Sequence, residues 1–304
     1  MKEVKLFLDS GAYSVSMLGG VVDLDKYIEF VHKNKDRIQV YANLDVIGDG
    51  EASYKNWLYM RAAGLEPLPV YHLSTELKFL KLYMEQAEYI GLGGLTTITK
   101  TDKVHGFDRL WTNYLTDDKG YPRVKVHGFG IMAIDHISKY PWYSVDSTTW
   151  FRQSAYGSVF IPRMGKDGKY DYSLRQLMVS VSQYSQDRRE SGGSFYGFTP
   201  AEQQYVLDYI ASCSIPFGNS HFRWENADYE PKEDERWAVS DVASDTYVVG
   251  KRLVEIVVEE GVCNSYLYRQ KLMIKFFLGL LTSIPPFPWP IKKRRSYFGL
   301  RKEQ

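Results

Sequence analysis

Cysteine is nearly absent from this 304-residue chain, which carries only Cys213 and Cys263. Two cysteines so far apart exclude a disulfide-built secreted scaffold and make a reducing cytoplasm the expected compartment. A long uninterrupted apolar run is also missing. The longest stretch, Leu272 to Pro290, is broken by Lys275, Gly279, Pro285, Pro286, Pro288 and Pro290. It makes a poor membrane span and reads as a helix ending near Ser283 or Ile284, followed by an extended, proline-stiffened arm. The opening Met1-Lys-Glu-Val-Lys-Leu contains no apolar segment of signal-peptide length. Charge of one sign is not in excess, since 38 Lys and Arg stand against 37 Asp and Glu, so bulk electrostatics select no class of partner. No glycine-rich phosphate fingerprint follows the first strand-like run, which counts against a dinucleotide-binding open sheet. Cysteine and histidine occur in no zinc-site spacing, and the pair Cys213 and His221 alone is a weak metal signal, so no metal is expected.

What is present is an ordinary hydrophobic fraction of 44%, a charged fraction of 25% and abundant aromatics, including 24 Tyr. Such a chain can bury one barrel-sized core with an extension. Charge is unevenly distributed: Ile291 to Lys302 is strongly basic, and Glu230 to Glu235 largely acidic.

The stretch Lys5-Leu-Phe-Leu-Asp-Ser-Gly-Ala-Tyr-Ser14 reads as a buried strand halted by Asp-Ser-Gly, delivering Asp9 to a rim. The pattern recurs. Arg37 to Asp45 is a second strand ending in Asp; Glu66 to Leu73 a third, ending near His72; Tyr89 to Leu95 a fourth; Arg123 to Gly130 a fifth; Tyr143 to Trp150 holds a sixth, and Ser158 to Pro162 is a candidate seventh. Helical patterns at about 23–34, 53–63 and 75–88 separate the earlier strands. This alternation argues for parallel pairing with crossover helices. A TIM-like (β/α)8 barrel, trimmed relative to longer examples, is the expected fold, with a doubly wound sheet as the alternative. In a barrel, the strand C-terminal ends converge on one face, bringing together Asp9, Asp45, His72, Gly93, Gly94, His127 and Asp146.

Residues 1–175 are expected to form this core and 176–304 a mostly helical C-terminal region. Tyr172 to Tyr184 and Val239 to Glu260 show helical spacing, the latter through Val249, Leu253, Ile256 and Val257. Thr199-Pro-Ala-Glu202 is a capping box with proline at the first helical position. Ser214 to Gly218 is a candidate late barrel strand.

Each candidate has a plainer reading. Asp9 could only end a strand, Asp45 and Asp146 could cap helices, and the glycines could permit packing. His72 and His127 could be hydrogen-bonded interior side chains, and Arg152 a surface cation.

Taken together, the motifs resemble a family. Asp9-Ser-Gly-Ala-Tyr-Ser-Val is similar to the Asp-Ser-Gly-Gly-Tyr/Phe-Gln-Val motif of tRNA-guanine transglycosylases, which exchange guanine for a 7-deazaguanine. In the family's order follow Asp45 at a strand end, Leu92-Gly-Gly-Leu95, Gly128-Phe-Gly130, and Asp146 with Arg152 six residues later. The likeness spans about residues 4 to 162. It departs from the tRNA enzymes in lacking their zinc module, in His72 standing where the family has a base-recognising Gln, and in everything after about Tyr170. A retained core with a different accessory region looks most like the phage and bacterial branch that inserts 7-deazaguanines into DNA.

The resemblance implies Asp146 as nucleophile and Asp9 as acid/base. It implies Asp45, His72, Gly93, Gly94 and Leu95 as the guanine-binding set with Tyr13 as a stacking lid, and Arg152 as a phosphate or sugar contact. It implies DNA as partner, tRNA as the alternative, and a free base such as preQ0 or preQ1 as co-substrate, with no cofactor, in the cytoplasm of a cell or of a phage's host. The basic, aromatic-bearing tail with Lys292, Lys293, Arg294 and Arg295 fits a nucleic-acid contact, and equally a solvated terminus. A barrel hydrolase using Asp9 and Asp146 on a small glycoside or nucleoside, and a catalytically silent nucleic-acid-binding subunit, are the other classes.

Overall fold

The computed structural model describes residues 6–94, 99–182, 193–238 and 250–291. Contacts divide the chain into two units, one of residues 1–147 with 286–304, the other of 148–285. Residues 148–175, expected with the N-terminal core, thus group with the second unit.

In the first unit the run Leu6–Leu8 forms β1 and stops at Asp9, where Gly11 at φ +72° turns the chain into α1, Ala12–Met17. Helix α2, Leu24–Lys33, starts at Asp23, whose carboxylate accepts from the Lys26 N–H at 3.1 Å, and buries Tyr27, Ile28 and Val31. Strand β2, Ile38–Tyr41, lies parallel to β1. Beyond it Ala42 bridges Leu68 in parallel, and buried Asn43 replaces the regular ladder, accepting from Val70 N–H at 2.8 Å and donating to the Ser53 carbonyl at 3.1 Å. Strands β3 (Val70–His72), β4 (Tyr89–Gly93), β5 (Lys125–Gly128) and β6 (Ser144–Val145) follow in parallel order. Helices Gly50–Ala62 (α3), Leu77–Gln86 (α4), Lys100–Leu110 (α5) and Ile134–Lys139 (α6) fall between them. The expected alternation of parallel strands with helices is therefore present, in a mixed α/β architecture.

These strands form two sheets, β1–β2 and β3–β6, linked by the Ala42–Leu68 bridge, and the array is strongly curled. Laid flat at about 4.8 Å per strand, β1 and β5 would stand roughly 19 Å apart. Yet Phe7 of β1 stacks on His127 of β5 with ring centroids 4.3 Å apart. Period-two alternation places Phe7, Val70, His72, Gly91, Gly93 and His127 on the concave side, while Ile90, Leu92 and Val126 are fully buried on the other. Gly91 is needed on the concave side, because a Cβ there would lie 2.6 Å from the Phe129 ring.

The segment after Pro285 returns to this unit. Ile291 donates its N–H to the Gly120 carbonyl at 2.9 Å, and Phe287 packs edge-on against Tyr143. Residues 292–304, including Lys292, Lys293, Arg294 and Arg295, lie outside the described residues, as does Leu95.

Among the described residues, the second unit corrects the expectation of a mostly helical region; residues 183–192 and 239–249, part of the segments expected to be helical, lie outside them. Helix α7, Thr149–Ala155, leads into β7, Ser158–Ile161, which pairs antiparallel with Leu177–Ser180 rather than extending a parallel series. Two short strands, Arg163–Met164 and Tyr170–Asp171, pair between them. Leu177–Ser180 is a strand where Tyr172 to Tyr184 had helical spacing. The capping box at Thr199 and Glu202 starts helix α8, Pro200–Ser212, as expected. Asn219–Asn226, Lys251–Glu259 and Glu235–Trp237 then form an antiparallel sheet with Lys251–Glu259 in the centre. The helical spacing of Leu253, Ile256 and Val257 was coincidental; a segment also holding Val254 and Val258 satisfies a central strand better, because β-branched side chains pack across a pleat. Ser214 to Gly218 is not a strand. It is an irregular connection paired with Val262 and Cys263 through the Pro216 and Phe217 carbonyls. Helix α9, Tyr266–Ser283, covers β7 through Met273 and Phe276. Among the described residues, no helix is long and apolar enough to cross a membrane.

Candidate active site

Three carboxylates from distant parts of the sequence meet at the C-terminal ends of β1, β2 and β6. Asp9 follows β1 directly, Asp45 ends the extended stretch after β2, and Asp146 follows β6. Burial pushes the Asp9 carboxyl up from its ordinary range, and the charges of Asp45 and then Asp146 push the same way, against backbone donors at Ser10 and Gly11. The Tyr27 hydroxyl, which donates to the Ala42 carbonyl at 2.8 Å, is likewise raised by burial, with Asp9 and Asp45 adding to the effect. Asp9 remains open to solvent despite these neighbours, so its carboxyl is reachable by a ligand.

Asp45 is held on both oxygens. Ser10 Oγ donates to Oδ1 at 2.9 Å, and His72 Nε2 lies 2.7 Å from Oδ2. His72 is 2% exposed, and its Nδ1 accepts the Gly48 N–H at 3.4 Å, which places the ring proton on Nε2 facing Asp45. Gly93 and Gly94 make this arrangement possible. A Cβ on Gly94, at φ +70°, would stand 2.9 Å from His72 Cβ, and one on Gly93 would stand 3.3 Å from His72 Cδ2. These residues, expected to touch a base, are thus seen making room for the imidazole behind Asp45. With both nitrogens engaged, His72 orients the carboxylate rather than offering its own edge.

Asp146 is different. Its side chain is 50% exposed. Burial of its inner part raises its pKa, but the neighbouring His127 and the Gly130 N–H, which donates to Oδ1 at 2.8 Å, outweigh that and hold the carboxyl below its ordinary range. His127 Nε2 stands 3.7 Å from the same Oδ1, an electrostatic distance rather than a hydrogen bond. On the other side, His127 Nδ1 pairs with Ser144 Oγ at 2.7 Å, and Ser144 Oγ with the Tyr89 hydroxyl at 2.5 Å.

Tyr13 is 44% exposed on α1. Arg152 is exposed on α7 in the second unit. Among the described residues, no three His, Cys, Asp or Glu side chains form a group fit to hold a metal ion. Sequence reasoning missed Phe7 as a ring against the site and the chain Tyr89, Ser144, His127. The period-two position of Phe7, two residues before Asp9, was the available signal; the pairing of Tyr89 with Ser144 had none, because it depends on strand register.

The chain matches no family model, no curated protein and no solved structure.

Proposed function

We propose that this protein is a base-exchange transglycosylase that replaces guanine in DNA by a 7-deazaguanine through a covalent Asp146–sugar ester. One observation carries the reading: two carboxyls of one site are pushed in opposite directions, Asp9 up and Asp146 down. Opposed shifts are what a proton-carrying acid and an ionised nucleophile require.

In the first half-reaction an Asp146 oxygen bonds to the sugar C1′ as the bond from C1′ to guanine breaks, and protonated Asp9 gives its proton to the departing base. In the second, the incoming base loses its N–H proton to Asp9 and bonds to C1′, and the ester electron pair returns to Asp146. Two displacements restore the original configuration. Asp45, braced by Ser10 and His72, retains carboxylate lone pairs for the N1–H and amino group of a guanine edge. The parallel pair β1–β2 and the four-stranded sheet β3–β6, linked by the Ala42–Leu68 bridge and curled so that Phe7 meets His127, fit the first six strands of a TIM-like (β/α)8 barrel, whose chemistry lies at strand C-terminal ends. A base in a duplex must be extruded to reach such a site. DNA is preferred over tRNA because the zinc module of the tRNA enzymes has no counterpart in the sequence. The basic segment 292–295 and Arg152 are assigned to nucleic-acid contact on sequence grounds.

Duplex DNA or tRNA carrying labelled guanine, incubated with the protein and preQ0 or preQ1, tests this. Label release from DNA that is lost in Asp146→Ala is expected. Undiminished release in that variant would overturn the assignment of the nucleophile.

A further inference from the structure

His127 carries a buried nitrogen that the fold leaves unsatisfied. The side chain is 2% exposed, and Nε2 has no hydrogen-bond partner among the described residues. Leaving such a group unpaired is costly, which calls for a role. The ring is held on all sides. Phe7 stacks on it at 4.3 Å, Phe129 meets it edge-on at 4.4 Å, and Ser144 pins Nδ1. Among the described residues, Nε2 has the Asp146 carboxylate as its charged neighbour, with Oδ1 3.7 Å away.

The hydroxyl chain allows the ring proton to face Asp146. When the Tyr89 hydroxyl donates to Ser144 Oγ, Ser144 donates to His127 Nδ1, and the ring proton must sit on Nε2, facing the carboxylate. Gly130 N–H and His127 Nε2 both address Oδ1 of Asp146. That leaves Oδ2 as the oxygen free to attack.

We propose that His127 is a positioning residue for Asp146: its Nε2–H, aimed by Tyr89 and Ser144, closes on Oδ1 whenever the carboxylate is charged and selects Oδ2 for bonding to C1′. The chemical part of this inference rests on the base-exchange reading; the orientation of the ring stands on geometry alone, and the tautomer is part of the proposal. Gaps of this kind close when substrate binds. During the exchange the donor matters most when the ester breaks. The C1′–Oδ2 bond cleaves, its electron pair returns to Asp146, the incoming base bonds to C1′ and its proton passes to Asp9. A donor on Oδ1 stabilises the carboxylate as it departs.

Two variants and one measurement on the unaltered protein decide the matter. His127→Phe preserves the ring clamp but removes the donor; His127→Gln restores an N–H. In exchange assays His127→Phe is expected to lower kcat by about tenfold or more, with the KM for DNA unchanged and a larger fraction of protein trapped as the covalent adduct, and Gln to recover part of the loss. Nitrogen NMR of the wild type should show the proton of His127 on Nε2, and carboxyl NMR should show the Asp146 midpoint moving up in His127→Phe. A proton on Nδ1, or an Asp146 midpoint unmoved in His127→Phe, overturns the proposal, as does an adduct fraction that falls with kcat. If both NMR results hold while no nucleic acid supports exchange, the positioning role stands and the base-exchange reading fails.

Discussion

The curled strand array contains two histidine–aspartate pairs built in opposite ways. His72 and Asp45 are in hydrogen-bond contact at 2.7 Å, with the carboxylate side chain only 11% exposed and its second oxygen held by Ser10. His127 and Asp146 stand 3.7 Å apart, with the carboxylate half exposed and the histidine nitrogen unpaired. The first pair is fixed by hydrogen bonds inside the protein, with a lone pair left on each Asp45 oxygen, and suits a fixed recognition surface. The second keeps a half-exposed carboxylate and, among the described residues, an unpaired ring nitrogen, the reserve that the proposed covalent role requires. Asp9, raised by burial and by both other carboxylates, is the group to which the proposed function gives the proton.

The sharpest break of this contrast is Asp146→Asn, which should reduce exchange by about a thousandfold or more. Next comes Asp9→Asn, expected to cost about 10²–10⁴ in rate as measured by base release. The same variant should raise Tm at neutral pH. The raised pKa of Asp9 means that the folded state holds its proton more tightly than the unfolded chain, so ionisation at higher pH destabilises the fold. The gain should therefore fade as pH falls through the raised folded pKa toward 3.8, where the unfolded carboxyl also takes up its proton. Asp146 has the opposite sign: its contribution is present above 3.8 and lost as pH falls through its depressed folded value.

Gly94→Ala attacks the locked pair. A Cβ at φ +70° and 2.9 Å from His72 should cost about 1–3 kcal/mol in denaturant unfolding and displace His72 from Asp45. The smallest expected effect is that of Ser10→Ala, about 1 kcal/mol, because Asp45 keeps its bond to His72. Equal losses for Gly94→Ala and an exposed control such as Gly168→Ala, also at positive φ but with open space around it, would remove the argument that glycine serves His72.

The three carboxylates were legible in the sequence because each ends an apolar run at a turn, a local pattern that survives any tertiary context. What the histidines do was not legible. The role of His72 depends on Gly93 and Gly94 in the neighbouring strand, and that of His127 on β1 curling back to lay Phe7 against it, which no local pattern encodes. The second unit was misread for a related reason. Lys251–Glu259 satisfies both a helical and an extended pattern, and only pairing with Asn219–Asn226 and Glu235–Trp237 decides between them. The Arg152 and basic-tail readings rest on sequence alone.

In the proposed function Asp146 bonds to the sugar while Asp9 and Asp45 attend the base. Incubating the protein with guanine-containing DNA in the absence of an incoming base, denaturing it and mapping any adduct by peptide mass spectrometry tests this most directly. The account predicts a nucleic-acid sugar esterified to Asp146, absent from Asp146→Asn; an adduct on another residue, or full exchange by Asp146→Asn, would contradict it.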